Sequence, residues 1–247
     1  MKFENTSVYN IENAIRGMRN PMNSWDKSDT FICVNGNGNC EKCRFYTKDD
    51  DNFGINEGCL KGEVLDEYTP VIVMGEKDLE LAKKLIGGGT EHRKFLRQIF
   101  ISVDITAPLY WWKEFDIYKI GTTSNSCSTM HKIHNKEITI DDFEMDDALQ
   151  EVCSDLTFYG VDFYNIWINL ISFCEHLRQR YNKTKDKRYW KELIRLLPQS
   201  YLQKRTITMN YEVIINMIKQ RKGHKLTEWK KFIDWAIELD YMREFTE

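Results

Sequence analysis

The sequence predicts an α+β fold, rich in helix, with a small mixed or antiparallel sheet. Three observations lead there. Few stretches have the β-branched and aromatic density of a strand; TPVIVMG (69–75) and the run from Phe95 to Ile105 are the clearest. Several longer stretches repeat apolar residues at helical spacing, as in LTEWKKFIDWAIE, where Leu226, Trp229, Phe232, Ile233 and Ile237 share a face. With only 4 prolines and 13 glycines, no long linker divides these elements. A single domain over residues 1–247 is therefore expected.

In chain order, residues 9 to 19 read as a short helix. Residues 31 to 62, rich in Gly, Asn and Asp, read as a cysteine-bearing loop insertion. TPVIVMG is a strand. DLELAKKLI is a helix, with Asp78 placed to cap it and Gly87, Gly88 and Gly89 to stop it. HRKFLRQIFISVDI runs into a second strand. TAPLYWWKEFDIYKI is read as a helix with Thr106 as N-cap and a proline in the first turn. GTTSNSCSTMH is dense in small hydroxylated residues. After an acidic connection come long helices, at roughly 146–182 and 186–196. Leu197-Pro198 breaks the pattern, and TMNYEVIINMIKQRKGH (208–224) is read as the next helix.

Composition narrows the function. The 247 residues are 42% hydrophobic and 30% charged, enough for a real core under a solvated surface. A formal net charge of −3 and a pI near 6.0 argue against a general nucleic-acid binder held by phosphate contacts. No apolar run reaches the ~20 residues of a membrane span. The N-terminus MKFENTSVYNIENAIRG has acids and amides where a signal peptide needs an apolar stretch. A cytoplasmic protein without nucleic-acid or membrane partners is expected.

Four of the seven cysteines, Cys33, Cys40, Cys43 and Cys59, fall in one segment as C-x6-C-x2-C-x15-C. Disulfides are rare in the cytosol, so the pattern points to metal. Four thiolates suit zinc or an iron–sulfur cluster. Free thiols in a loop, or a redox-labile pair, are the alternatives.

On a helical wheel, Tyr211, Val213, Ile214, Ile215, Met217 and Ile218 form an apolar arc, with Glu212, Lys219 and Gln220 opposite, facing solvent. Asn210 and Arg221 fall within about 20° of each other in the middle of that arc. A cation there must be paired. Arg221 either bonds the last carbonyls of the helix or an acid such as Glu228, or it awaits an anion or a carbonyl-rich ring from a ligand. The run TTSNSCSTMH (122–131) is either a donor- and acceptor-rich wall for a phosphate or heterocycle, or an ordinary polar loop. His92, after Glu91, is either a satisfied structural histidine or a ligand contact. Tyr110, Trp111, Trp112, Phe115 and Tyr118 are spaced as a helix face, for core packing or for stacking on a flavin or folate.

Taken in order, these pieces resemble the flavin-dependent thymidylate synthases, the ThyX family. Glu91-His92 with Phe95 resembles the family's EH-x-x-F element, whose histidine lies at the flavin. SNSCS resembles the middle of the signature R-H-R-x-x-S-x-N-E-x-S-x-R, with Asn125 and Ser128 on its Asn and second Ser. Leu197-Pro198 is similar to the LP before the last active-site helix. Asn210, Asn216 and Arg221 match the Asn, Asn and Arg of that helix in register, followed by His224 and Trp229. The resemblance covers roughly residues 70 to 240. It extends to a divergent branch with AIRGMRNPMNSWDKSD near its start, found in phages and anaerobic bacteria.

The resemblance implies a ThyX-like fold and the reductive methylation of dUMP to dTMP with methylenetetrahydrofolate, FAD and NADPH, in a homotetramer. It implies that His92, Asn125, Ser128, Asn210, Asn216 and His224 contact cofactor, that Ser128 also contacts nucleotide, and that Arg221 polarises the uracil ring of dUMP. Where the signature has R-H-R, this chain has Tyr118, Lys119 and Ile120, and Met130 replaces the last Arg. Losing a charge-assisted phosphate contact costs about 1.5–3 kcal/mol each unless replaced. Arg93, Arg97, Lys113, Lys119 and Lys132 are the candidate replacements. Two rivals follow from these departures: a flavoenzyme acting on another pyrimidine nucleotide, and a non-catalytic flavin- or nucleotide-binding protein.

Overall fold

The computed structural model describes residues 1–33, 71–145 and 157–247. Its strands are β1 (Lys2–Tyr9), β2 (Phe31–Cys33), β3 (Val71–Val73), β4 (Phe100–Pro108), β5 (Thr122–Ser126), β6 (Thr157–Phe158), β7 (Val161–Asp162) and β8 (Leu202–Asn210). Its helices are α1 (Ile11–Met18), α2 (Glu76–Gly87), α3 (Leu109–Phe115), α4 (Thr129–Lys132), α5 (Phe163–Thr184), α6 (Lys187–Leu196), α7 (Tyr211–Arg221), α8 (Thr227–Ile237) and α9 (Met242–Thr246). The class is α+β, helix-rich with small antiparallel pairings, as expected. No helix among the described residues is long and apolar enough to cross a membrane. The chain forms two compact units: Met1–Ser7 with Ser102–Met209 and Arg221–Trp235, and Val8–Ile101 with Asn210–Gln220 and Ala236–Glu247.

The first unit is built on a four-stranded sheet of order β1-β4-β8-β5. In β4, Ile101, Val103, Ile105 and Ala107 are buried while the residues between them are not, the two-residue period of a strand with one covered face. The opposite face is polar: Asp104 accepts from Asn5 at 3.0 Å and from the Thr206 hydroxyl at 2.6 Å. β5 runs antiparallel to β8, with Asn125 opposite Thr206. Trp111, Trp112 and Phe115 of α3 and Trp229 and Phe232 of α8 are all buried, and Trp111 lies 4.9–6.0 Å from each of the other rings. Core packing is thus the role of the α3 aromatics. A second cluster joins Ile133, Ile138 and Phe143 to α5 and α6 through Ile171, Cys174, Leu177 and Leu193.

Several expected boundaries differ here. α3 begins at Leu109, and Thr106 lies inside β4, so it caps nothing. The long helix begins at Phe163, not near 146; residues 146–156 lie outside the described set. Before it stands the β6–β7 hairpin, whose two turn residues Tyr159 and Gly160 both take positive φ, the geometry that matches strand twist in a two-residue loop. Asp162 caps α5 by accepting from the Asn165 amide at 2.8 Å. β8 occupies residues read as loop and helix start. Its inward positions include Gln203 and Arg205, and the Arg205 guanidinium lies 4.2 Å from the Trp112 ring, so the apolar alternation is diluted.

In the second unit α1 buries Ile11, Ala14, Ile15 and Met18, one face at helical spacing. It packs on α2 and on the turn Lys94–Arg97. β2 pairs antiparallel with β3, Cys33 opposite Val71. The Tyr241 hydroxyl ties β3 down, donating to the Ile72 carbonyl at 2.7 Å and accepting from Met74 N at 2.8 Å. Asp78 is not the cap of α2. Asp29, from a distant segment, accepts from Lys77 N and Asp78 N at 3.0 and 3.1 Å instead. The approach is close enough that a Cβ at Gly75 would stand 2.6 Å from the Asp29 carbonyl oxygen. Asp78 is wholly buried and accepts from Arg19 Nε at 2.5 Å, from the Ser28 and Thr30 hydroxyls at 2.6 Å each, and from the Asp29 and Thr30 amides.

Candidate functional site

Arg221 ends α7 and makes its contacts in the first unit. Its Nη1 donates to Glu114 Oε2 at 2.9 Å and its Nε to the Tyr118 hydroxyl at 2.9 Å. Its guanidinium lies 4.6 Å from the Trp229 ring and 5.6 Å from the Tyr118 ring, a cation flanked by two aromatic groups. Trp229 Nε1 also donates to Glu114 Oε2, at 2.9 Å. His224 Nδ1 accepts from Leu226 N at 3.1 Å, so the proton of the neutral ring sits on Nε2, which lies 3.3 Å from the same oxygen. The acid that pairs with Arg221 is therefore Glu114, not Glu228. Glu228 is buried and accepts from the Tyr110 hydroxyl. The Arg221 side chain is only 14% exposed, and among the described residues its Nη2 makes no hydrogen bond. It can still donate to a ligand carbonyl.

The polar run after α3 is a strand and a cap. Asn125 is exposed on β5, an end strand of the sheet. Ser128 starts α4, its hydroxyl accepting from His131 N at 2.9 Å. Lys119 is exposed, on the connection before β5. A cavity of about 180 Å³ lies beside this stretch, lined among others by Cys127, Ser128, Lys132, Tyr201 and Lys204. Lys204 is held there by Glu4 at 3.0 Å and Asp104 at 3.3 Å.

The second unit holds the other expected residues. His92 is exposed, 3.6 Å from the Glu91 carboxylate. Asn216 Oδ1 accepts from Arg93 Nη2 at 3.4 Å, and its Nδ2 is uncommitted among the described residues. Arg97 donates to the Thr90 carbonyl and to Glu212. Glu212 does not face solvent as the wheel implied: its side chain is 13% exposed and holds Arg93 at 3.0 Å as well. Burial alone would raise the Glu212 carboxyl, but the hydrogen bonds from Arg97 and Arg93 outweigh it and hold the group below its ordinary value.

Asn210 owes its place in the apolar arc to capping. Its Oδ1 accepts from Val213 N at 3.1 Å. Asn210→Ala should cost about 1 kcal/mol, read as a lower denaturant midpoint.

For the cysteine loop, Cys40, Cys43 and Cys59 lie outside the described residues, and Cys33 ends β2 half-buried. Among the described residues no three His, Cys, Asp or Glu side chains are grouped to hold a metal. Burial pushes the Cys174 thiol up to about 11, which makes it an inert core residue.

The sequence singled out Arg221 and His224 but gave no mark to Glu114, which lies against both. The two residues lie 107 positions from Arg221 to Glu114 along the chain, and nothing in the α3 pattern marks one glutamate among its neighbours.

No protein-family profile and no curated protein matches the sequence. Solved structures do. A flavin-dependent thymidylate synthase, ThyX, from Helicobacter pylori, complexed with FAD and dUMP, superposes with a TM-score of 0.61 at 14% identity, covering 100% of this chain and 97% of its own. A second structure of the Helicobacter pylori enzyme with FAD and dUMP gives the same values. The chain has the fold of these enzymes.

Proposed function

We propose that this chain is a flavin-dependent thymidylate synthase, converting dUMP to dTMP with methylenetetrahydrofolate, FAD and NADPH. The observation that carries the reading is Arg221: a guanidinium held between two aromatic rings, in register with the helix that the resemblance assigns to the nucleotide, with a donor left over. When bound, FAD supplies the redox chemistry and the transfer of the one-carbon unit. Residues of the second unit suit such a group: Asn216 Nδ2 and the exposed His92 offer donors and acceptors to a heterocycle. Asn210 and His224 contribute less than the resemblance implies. Asn210 Oδ1 is spent on the helix cap and His224 Nδ1 on the Leu226 amide, with His224 Nε2 lying 3.3 Å from the Glu114 carboxylate. Arg221 Nη2 polarises a uracil carbonyl and so activates C5. Lys132, beside Ser128, is our candidate for a phosphate contact in place of the lost arginines. Homotetrameric assembly and a cytoplasmic location belong to the same proposal.

The second reading, another pyrimidine nucleotide, draws on the same departures: Tyr118 is committed to Arg221, and Lys119 and Ile120 are exposed. The test is the visible spectrum of the purified protein with FAD added, followed through a dUMP titration. A bound-flavin spectrum that shifts saturably with dUMP is expected. No retained flavin would overturn the proposal, and flavin indifferent to dUMP would favour the second reading.

A further inference from the structure

The cluster around Arg221 uses one oxygen of Glu114 three times and the other not at all. Arg221 Nη1, Trp229 Nε1 and His224 Nε2 converge on Oε2, at 2.9, 2.9 and 3.3 Å. Among the described residues nothing hydrogen-bonds Oε1, and the Glu114 side chain remains 35% exposed. Arg221 Nη2 is likewise uncommitted among the described residues. Two groups in contact with each other thus offer one acceptor and one donor.

A carboxylate is an odd neighbour for a guanidinium meant for an anion, because it repels phosphate and neutralises the cation. A donor beside an acceptor suits a different group: a lactam, in which N–H stands next to C=O. In a uracil nucleotide only N3 carries a ring N–H. N3 adjoins both carbonyls, so it lies beside whichever one Arg221 takes; the other neighbours are the glycosylated N1 and C5.

We infer that Glu114 Oε1 accepts the N3–H of the substrate's uracil ring, which makes Glu114 the residue that selects uracil over cytosine. The inference rests on the dUMP reading above. In cytosine N3 has a lone pair and no proton, and a carboxylate oxygen repels it. Sites built to hydrogen-bond a substrate N–H reject analogues lacking it more strongly than apolar pockets do.

The test is calorimetric titration of the FAD-loaded full chain with dUMP, dCMP and N3-methyl dUMP. Wild type should bind dUMP roughly 10- to 100-fold tighter than the other two, the loss expected for one charge-assisted hydrogen bond. Glu114→Ala should close the gap to both analogues. Glu114→Gln keeps the side-chain shape and can turn its amide to donate or accept, so it should admit dCMP while retaining dUMP. A purely structural Glu114 would weaken all three ligands equally on truncation, and that result overturns the inference. Equal binding of dUMP and dCMP by wild type overturns it too, leaving the proposed function standing. Failure of wild type to bind dUMP at all sinks the function and this inference together.

Discussion

Arg221→Ala should lower turnover by roughly 100- to 1,000-fold, the usual cost of removing one donor aimed at developing negative charge, while FAD stays bound. The side chain is mostly covered, reaches Glu114 and Tyr118, and is flanked by Trp229. Removing it leaves the Glu114 carboxylate with one neutral hydrogen-bond donor, Trp229, so a modest fall in thermal midpoint should accompany the kinetic loss. Arg221→Lys separates the two effects. It keeps the charge near Glu114 but loses the fork that bonds Tyr118, Glu114 and a ligand together. Lysine should therefore restore most of the stability and little of the rate. Single-turnover kinetics and melting curves on both variants check this. A full rate with Ala would remove Arg221 from the chemistry.

The largest stability effect belongs to Asp78→Ala. Arg19 is almost wholly buried, and Asp78 holds it along with Ser28 and Thr30. Breaking a buried pair by deleting one partner costs about 3–5 kcal/mol, because the other charge stays behind unpaired. The consequence is local: the 19–30 segment loses its anchor on α2. The same group sets an acid limit. Burial acts to raise the Asp78 carboxyl, and the hydrogen bonds from Ser28, Thr30 and Arg19 lower it by more. A lowered folded pKa contributes stability that is present above the unfolded value of about 3.9 and lost as pH falls through the folded value beneath it. Wild type should lose stability steeply below about pH 4, and Asp78→Asn should lose this component of the acid dependence. Urea midpoints across that range measure it. A Asp78→Ala midpoint equal to wild type at neutral pH would contradict the account of the segment.

Much of the fold was legible. α1, α2, α8 and β3 stand where periodicity and β-branched density put them. β8 was hidden because Gln203 and Arg205 occupy inward positions, while Ile207 falls within the apolar arc of the helix after it. Glu212 looked solvent-facing because a wheel shows only one helix; its partners Arg93 and Arg97 come from 115 or more residues away. The same limit applied at the site. The wheel exposed Arg221 and Asn210 as misplaced polar groups, but not that Asn210 caps its own helix while Arg221 finds Glu114 on α3. A single sequence reveals a polar residue out of place more readily than the partner that satisfies it.

The measurement that bears most directly on the central claim is tritium release from dUMP labelled at C5, with methylenetetrahydrofolate, FAD and NADPH supplied. A new carbon bond at C5 requires that hydrogen to leave. We predict release that depends on all three additions and is lost in Arg221→Ala. Bound flavin with no release from dUMP would contradict the thymidylate synthase reading.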